Sequence, residues 1–220
     1  MTFIKICGIK TEDDALAAAE AGADFIGIVF ATSQRQVMPE QAVKITTALK
    51  KNKTKAKSVG VFVNEPMPTV RKIADTCHLD WVQLSGDESW EYCVELARPF
   101  IKAIKLNSNE QVESVKRQIN KGEKTAVERK HLILLDTAAQ DRYGGTGTTF
   151  DWNLAKPLAE KYQVIIAGGL NPGNVGRAIK IIKPWGVDVS SGVETKGIKD
   201  MKKVVKFIEA VREADAVQTG

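Results

Sequence analysis

Two residues able to take part in proton transfer stand where strand-like segments of this sequence end. Cys7 closes the segment FIKIC, and Asp136 closes the segment HLILLD. An unperturbed thiol has a pKa of about 8.5, so only about 3% of it is thiolate at pH 7. Lys5 shares a strand face with Cys7 at a separation of roughly 6 to 7 Å, and its charge would favour the thiolate. Taken alone, a cysteine in an apolar strand is more often a packing residue than a catalytic one.

Asp136 follows a mostly aliphatic strand, which places its carboxyl at the edge of a low-dielectric core. Desolvation there would raise its pKa and let it hold a proton for general acid catalysis. An aspartate at such a position also commonly caps a helix or forms a turn. Here, however, the loop continues through AAQDRYGGTGTTF before the next helix-like segment. Its length and its glycines, Gly144, Gly145 and Gly147, are typical of a mobile lid over a site.

The strand-like segments VIIAGG and GVDVSSG each end in small residues: Gly168, Gly169, Ser190, Ser191 and Gly192. Such residues let backbone N–H groups approach a phosphate dianion, and the dipole of a following helix adds to the attraction. Tight turns use the same residues, but their coincidence after the seventh and eighth strands favours a phosphate site. Asp188, two residues before Ser190, shares its face and is a candidate to hydrogen-bond a substrate amine or hydroxyl.

Alternating strand-like and helix-like segments must position these residues. Eight strand–helix units follow one another without a linker, and several strands are nearly continuous in β-branched residues, as parallel strands buried on both faces are. We therefore predict a single-domain α/β fold over residues 1–220, a (β/α)8 TIM barrel. An open doubly wound sheet is the alternative, because alternation alone does not establish closure. Either fold places reactive groups at the carboxyl ends of strands.

The composition of the chain limits which kinds of partner and ligand we expect. The net charge is +5, but the lysines are scattered apart from KKNKTKAK at 50–57, which fits a surface turn better than a nucleic-acid groove. No apolar run approaches 18 residues, and the first strand starts too early for a signal peptide, so we expect a cytoplasmic protein without membrane contact. Three cysteines without C-x-x-C spacing and two distant histidines argue against a disulfide framework and against a metal site.

Arg35 lies in the loop after the second strand, in FATSQRQV. Arginine is a planar, bidentate partner for carboxylate or phosphate, although a loop arginine is more often only a surface residue. With these segments assembled, the chain resembles the phosphoribosylanthranilate isomerase family. The resemblance rests on these segments, in this order: KICGI, GADFIGIVF, SQRQV, VGVFVN, VQLSGDE, LLDT, GGTG, FDW, AGGLNPGNV, GVDVSSGVE and GIKD.

The resemblance implies a (β/α)8 barrel of tryptophan biosynthesis. Its implied reaction is the Amadori rearrangement of N-(5-phosphoribosyl)anthranilate to 1-(2-carboxyphenylamino)-1-deoxyribulose 5-phosphate. Cys7 would be the general base, Asp136 the general acid, and Arg35 the partner of the anthranilate carboxylate. No cofactor or metal is implied, because the substrate nitrogen serves as the electron sink.

The resemblance also implies that the loops with Gly169 and Ser191 hold the ribose phosphate, with Asp188 near the anthranilate nitrogen or the sugar hydroxyls. Ser85 is a departure, since many members read VQLHG where this chain has VQLSG. Other phosphate-binding barrels remain alternatives, namely indole-glycerol-phosphate synthase and ribulose-phosphate epimerase, as does a non-catalytic barrel that binds an anion or nucleic acid. The expected partner is a small phosphorylated substrate, and the sequence leaves monomer and homodimer open.

Overall fold

A computed structural model describes residues 1–106, 111–136 and 152–218 of the chain. Within these ranges, eight parallel strands pair in chain order, and β8 pairs with β1, so that the sheet closes into a barrel. The predicted barrel is confirmed, and the open-sheet alternative is wrong. The strands are β1 Phe3–Cys7, β2 Phe25–Val29, β3 Lys57–Phe62, β4 Trp81–Leu84, β5 Phe100–Lys105, β6 His131–Asp136, β7 Val164–Ala167 and β8 Gly186–Val189.

Helices follow the strands and cover the outside of the barrel. Thr11 caps the first helix by accepting a hydrogen bond from the Asp14 amide at 3.1 Å, and Pro39 opens the second, where its missing N–H costs nothing. In the described residues the helices are α1 Glu12–Glu20, α2 Pro39–Lys51, α3 Met67–Thr76, α4 Trp90–Glu95, α5 Val112–Thr125, α6 Lys156–Ala159, α7 Val175–Ile182 and α8 Met201–Gln218. None of them is long and apolar enough to cross a membrane.

The helix between β6 and β7 is short. A 3-10 turn, Trp152–Leu154, precedes the four-residue α6. Pro157 lies in the first turn of α6, where its missing N–H cannot interrupt a helical hydrogen bond. The proline therefore suits the start of a new helix rather than the interior of a longer one.

Side-chain alternation along the strands separates two layers of core. Ile4 and Ile6 pack outward among the helices, whereas Lys5 and Cys7, which share the other face of β1, turn into the barrel. The interior is filled by an apolar cluster: Phe25, Val59, Trp81, Ile101, Leu132, Leu134, Ile165 and Ala167. Cys7 belongs to a separate small cluster with Val29, the last residue of β2. The thiol therefore lies above the filled interior, near the carboxyl-terminal rim.

A short hairpin interrupts the connection between β8 and α8. A 3-10 turn, Ser191–Val193, leads into β9 Glu194–Thr195, which pairs antiparallel with β10 Ile198–Lys199. Lys196 and Gly197 form its turn, and both have positive φ, at 53° and 78°. Strands of two residues are too short to show a period of two in the sequence.

Candidate active site

The strand directions place the predicted reactive groups at one rim. Cys7 is the last residue of β1, Asp136 is the last of β6, and Asp188 is the next to last of β8. All eight strands are parallel, so their carboxyl ends meet at the same end of the barrel. Asp136 shares the inward face of β6 with Leu132 and Leu134, which pack in the barrel interior.

A cavity of about 680 Å³ opens at this rim. Its described lining includes Asp136 and Asp188, together with Gln83, Ser85 and Lys102 from β4, the loop after it and β5. Cys7, Arg35 and the small residues after β7 and β8 are not part of that lining. The structure therefore brings two of the predicted site residues into one cavity and places the others elsewhere around the rim. The loop that was predicted to form a lid, with Gly144, Gly145 and Gly147, lies outside the described residues.

Lys5 links Cys7 to Asp188 inside the barrel. Its ammonium group, in a side chain only 1% exposed, donates a hydrogen bond to Asp188 Oδ1 at 2.9 Å. Gly27, the register partner of Cys7, makes room for both groups: a β-carbon there would lie 2.9 Å from Cys7 Sγ and 3.0 Å from Lys5 Nζ. The glycine thus allows a thiol, an ammonium and a carboxylate to share one buried space.

This environment shifts the protonation of Cys7 in an unexpected direction. Burial raises the pKa of the thiol, Lys5 opposes the rise, and Asp188 adds to it. The net pKa is above the ordinary value, so the expectation that Lys5 would favour the thiolate is correct in sign but is outweighed. Burial also works to lower the pKa of Lys5, but Asp188 and Cys7 outweigh it, and the ammonium stays charged.

Arg35 lies against the end of β1. Gly8 has a φ of +80°, and a β-carbon on it would lie 2.6 Å from Arg35 Cδ, so the arginine side chain crosses directly over the residue after Cys7. Arg35 Nε and Nη2 donate to Glu194 Oε1 and Oε2, each at 2.7 Å. Lys199 Nζ donates to Oε1 of the same carboxylate, also at 2.7 Å. The pKa of Glu194 is lowered: burial raises it, but the two cations outweigh burial.

The small residues that follow β7 and β8 come close together. Gly168 and Gly169 have φ values of +96° and +68°, and a β-carbon on Gly169 would meet no atom within 4 Å. A β-carbon on Gly192 would lie 1.9 Å from the Leu170 carbonyl oxygen, so the two loops touch there. Asn174, just before α7, donates to the Gly169 carbonyl at 3.0 Å and fixes that loop. Ser190 and Ser191 lead from β8 into this contact.

Polar residues of β4, β5 and the loop after β4 also meet at the rim, and the sequence analysis did not predict their contacts. Gln83 is 5% exposed and donates from Nε2 to Ser85 Oγ at 3.0 Å, while its Oε1 has no hydrogen-bond partner in the described structure. Ser85, which departs from the family pattern, is therefore the partner of a buried amide. Nearby, Glu88 accepts from Lys102 Nζ at 2.9 Å and from the Asn64 amide at 2.8 Å. That carboxylate joins the loops after β3 and β4 to β5.

Sequence reasoning also missed Glu194 and Lys199, although both lie in motifs that carried the resemblance, GVDVSSGVE and GIKD. The signal available in the sequence was the Lys196–Gly197 pair, because glycine is favoured in the two-residue turn of a tight hairpin. In the structure both residues have the positive φ that such a turn requires. Among the residues that the structure describes, no group of three or more His, Cys, Asp or Glu side chains is arranged to hold a metal ion.

Fold and site together define a (β/α)8-barrel protein with its polar and ionisable side chains gathered at the carboxyl-terminal rim, the arrangement of barrel enzymes. The family model for N-(5'-phosphoribosyl)anthranilate (PRA) isomerase matches residues 4–210. The chain belongs to this isomerase family of tryptophan biosynthesis, and the resemblance read from the sequence is confirmed.

Individual relatives agree over nearly the full length. The N-(5'-phosphoribosyl)anthranilate isomerase of Dehalococcoides mccartyi is 48% identical over 215 residues, covering 98% of each chain. The Thermotoga maritima enzyme has a solved structure that is 38% identical, with a TM-score of 0.81, covering 97% of this chain and all of that one. Another solved isomerase, 35% identical with a TM-score of 0.79 and the same coverage, holds reduced 1-(o-carboxyphenylamino)-1-deoxyribulose 5-phosphate.

Proposed function

We propose that this protein catalyses the Amadori rearrangement of N-(5-phosphoribosyl)anthranilate to 1-(2-carboxyphenylamino)-1-deoxyribulose 5-phosphate, with Cys7 as general base and Asp136 as general acid. The observation that carries the proposal is the position of the two groups, which end two parallel strands at one rim of a closed barrel. Asp188, on the strand beside β1, lines the cavity together with Asp136.

Substrate binding is assigned to two anion sites on the rim. The ribose phosphate binds the contacting loops of Gly168–Gly169 and Ser190–Gly192, where small side chains let a phosphate approach the backbone and α7 begins nearby. Arg35 binds the anthranilate carboxylate. Holding the substrate at both ends fixes the sugar between acid and base, and such positioning can contribute several kcal/mol to catalysis.

The chemistry then needs two proton transfers in sequence. Asp136 donates a proton to the furanose ring oxygen while the C1'–O bond breaks, and the nitrogen lone pair forms the C=N bond of an iminium ion. The iminium acidifies the neighbouring C2'–H, and the Cys7 thiolate removes that proton. The C–H electron pair forms the C1'=C2' bond and returns the C=N pair to nitrogen, giving an enolamine that tautomerises to the ketone. The substrate nitrogen is the electron sink, so the scheme uses no cofactor.

Lys5 and Asp188 support these steps from within the barrel. The thiol of Cys7 must lose its proton before it can act as a base, and burial works against this loss. The Lys5 ammonium, held by Asp188 at 2.9 Å, supplies the opposing positive charge. Asp188, which lines the cavity, is the candidate acceptor for the anthranilate N–H or a sugar hydroxyl.

A direct assay tests the proposal. The purified full chain is mixed with N-(5-phosphoribosyl)anthranilate in buffer containing a metal chelator, and the change in anthranilate fluorescence is followed. Turnover to the deoxyribulose product at a rate proportional to protein concentration supports the proposal. Absence of turnover contradicts it. Activity on ribulose phosphate or on the indole-glycerol-phosphate precursor instead would assign the barrel to another reaction.

A further inference from the structure

We propose that Glu194 is a positioning residue that holds Arg35 in the orientation in which it binds the carboxylate of the substrate, and so makes the enzyme selective for an aromatic amine bearing that carboxylate. The inference rests on the proposed function and deepens it. Its basis is the bidentate contact between the two side chains, which are 159 residues apart in the sequence.

The geometry leaves one edge of the guanidinium available. Glu194 takes the Nε hydrogen and one of the two Nη2 hydrogens. Three of the five N–H donors of an arginine then remain, two on Nη1 and one on Nη2. One hydrogen of each nitrogen points along the end of the guanidinium, and this pair forms a second bidentate fork. The side chain of Glu194 is 6% exposed and that of Arg35 is 20% exposed. The carboxylate therefore lies on the protein side of the guanidinium, and within the described residues no other group occupies the second fork, which can meet a ligand.

Glu194 is itself firmly held. Lys199 lies opposite it in the register of the β9–β10 hairpin, and its Nζ donates both to Glu194 Oε1 at 2.7 Å and to the Ser190 carbonyl at 2.9 Å. Lys203 donates to the Glu194 backbone carbonyl at 2.8 Å. The Lys199 side chain is 3% exposed. The hairpin thus presents a fixed carboxylate to Arg35, rather than a mobile one that follows it.

The charges of this cluster indicate that Glu194 positions Arg35 and does not compete with the substrate carboxylate for it. Arg35 and Lys199 share one carboxylate, so the cluster keeps one excess positive charge for an incoming anion. Without the Glu194 charge, the two cations would face each other with no anion between them. Arg35 would then turn away from Lys199 and lose its place over Gly8, beside the proposed base. A substrate held by Arg35 through its carboxylate would then shift, and a small shift misaligns its C2' proton with the thiolate.

The test compares two substrates and one charge-removing variant. Glu194→Gln keeps the size of the side chain and loses its charge. We expect kcat/KM for N-(5-phosphoribosyl)anthranilate to fall about 10- to 100-fold, the range for losing a hydrogen bond to a charged group. For N-(5-phosphoribosyl)aniline, which lacks the carboxylate, we expect a change below about 3-fold relative to wild type on that same substrate, since an orientation of Arg35 matters only when a carboxylate is present.

Two further variants control the experiment. Lys196→Asn removes a charge from the same hairpin without touching Arg35, and asparagine tolerates the positive φ of this position. It should leave both substrates within about 3-fold of wild type. Glu194→Asp keeps the charge but is one methylene too short for both short contacts, so it should show the same substrate-dependent loss at a smaller size. This variant also carries the test if Glu194→Gln does not fold.

The outcomes are distinct. Equal losses on the two substrates would show a structural role and overturn the inference, while the proposed function would stand because the wild type is active. Tighter binding of the anthranilate substrate by Glu194→Gln would make Glu194 a competitor and overturn the inference as well. A wild-type protein that turns over neither substrate would remove the proposed function and the inference with it.

Discussion

Lys5→Met tests how the interior of the barrel is held together. Methionine keeps the length of the side chain and removes its charge, leaving the Asp188 carboxylate, 10% exposed, without its partner at 2.9 Å. At an effective dielectric constant of about 20, that pair attracts by about 6 kcal/mol, and much of this only offsets the desolvation of both ions. Removing one partner of a buried pair costs about 3 to 5 kcal/mol, so we expect the free energy of unfolding at pH 7 to fall by that amount.

A double variant separates the charge from the packing. In Lys5→Met/Asp188→Leu no charge is left buried, and a buried pair replaced by apolar side chains is often nearly neutral in stability. We therefore expect the double variant to recover at least about half of the loss, about 2 kcal/mol in urea unfolding. If Lys5→Met alone loses less than about 1 kcal/mol, the pair is not the internal support described above.

The same variant has a predicted effect on the pH dependence of activity. Burial raises the pKa of the Cys7 thiol, so wild-type kcat/KM should increase with pH above neutrality as the thiolate forms. Lys5 opposes that rise, and an opposite charge this close shifts a pKa by about 1 to 3 units. In Lys5→Met the ascending limb should therefore move to higher pH by about one unit or more. An unchanged limb would mean that Cys7 is not the base or that Lys5 does not act on it.

Two substitutions of glycine test the loop contact and the packing of the helices. Gly192→Ala places a β-carbon 1.9 Å from the Leu170 carbonyl oxygen, so the loops after β7 and β8 must separate; KM should rise at least about 10-fold and inhibition by inorganic phosphate should weaken. Unchanged phosphate inhibition would remove these loops from the binding site. Gly122→Ala places a β-carbon 2.2 Å from the Trp90 ring and should cost about 1 to 3 kcal/mol in urea unfolding, with kcat unchanged. Gly176→Ala, whose nearest contact would be 3.6 Å away, is its matched control and should stabilise by up to about 1 kcal/mol; equal effects of the two would refute the packing argument.

The order of strands and helices could be predicted because its causes are local. Thr11 caps α1 and Pro39 opens α2, as their side chains dictate. Alternation along FIKIC fixes which residues of β1 enter the barrel. Closure of the sheet could not be read in this way, since it depends on the pairing of β1 with β8, whose residues Lys5 and Asp188 are 183 positions apart.

The sequence predicted which candidate site residues lie at strand ends, but it did not predict the contacts between their side chains. Cys7 and Asp136 could be found because each ends a strand-like segment, and parallel strands share a rim. The partner of Arg35 could not, since Glu194 belongs to a hairpin of two-residue strands that has no readable period. The direction of the Cys7 pKa also depends on burial, which only the folded barrel determines.

The measurement that tests the account most directly is kcat for Cys7→Ser and Asp136→Asn, determined with N-(5-phosphoribosyl)anthranilate beside the control Cys77→Ser. Cys77 is buried and is not among the residues that line the cavity, so this control should retain activity. We expect each of the other two variants to lose about 10² or more in kcat with KM little changed, as removal of a proton-transfer group predicts. Near-normal kcat in either variant would contradict the assignment of base and acid to these two strand ends.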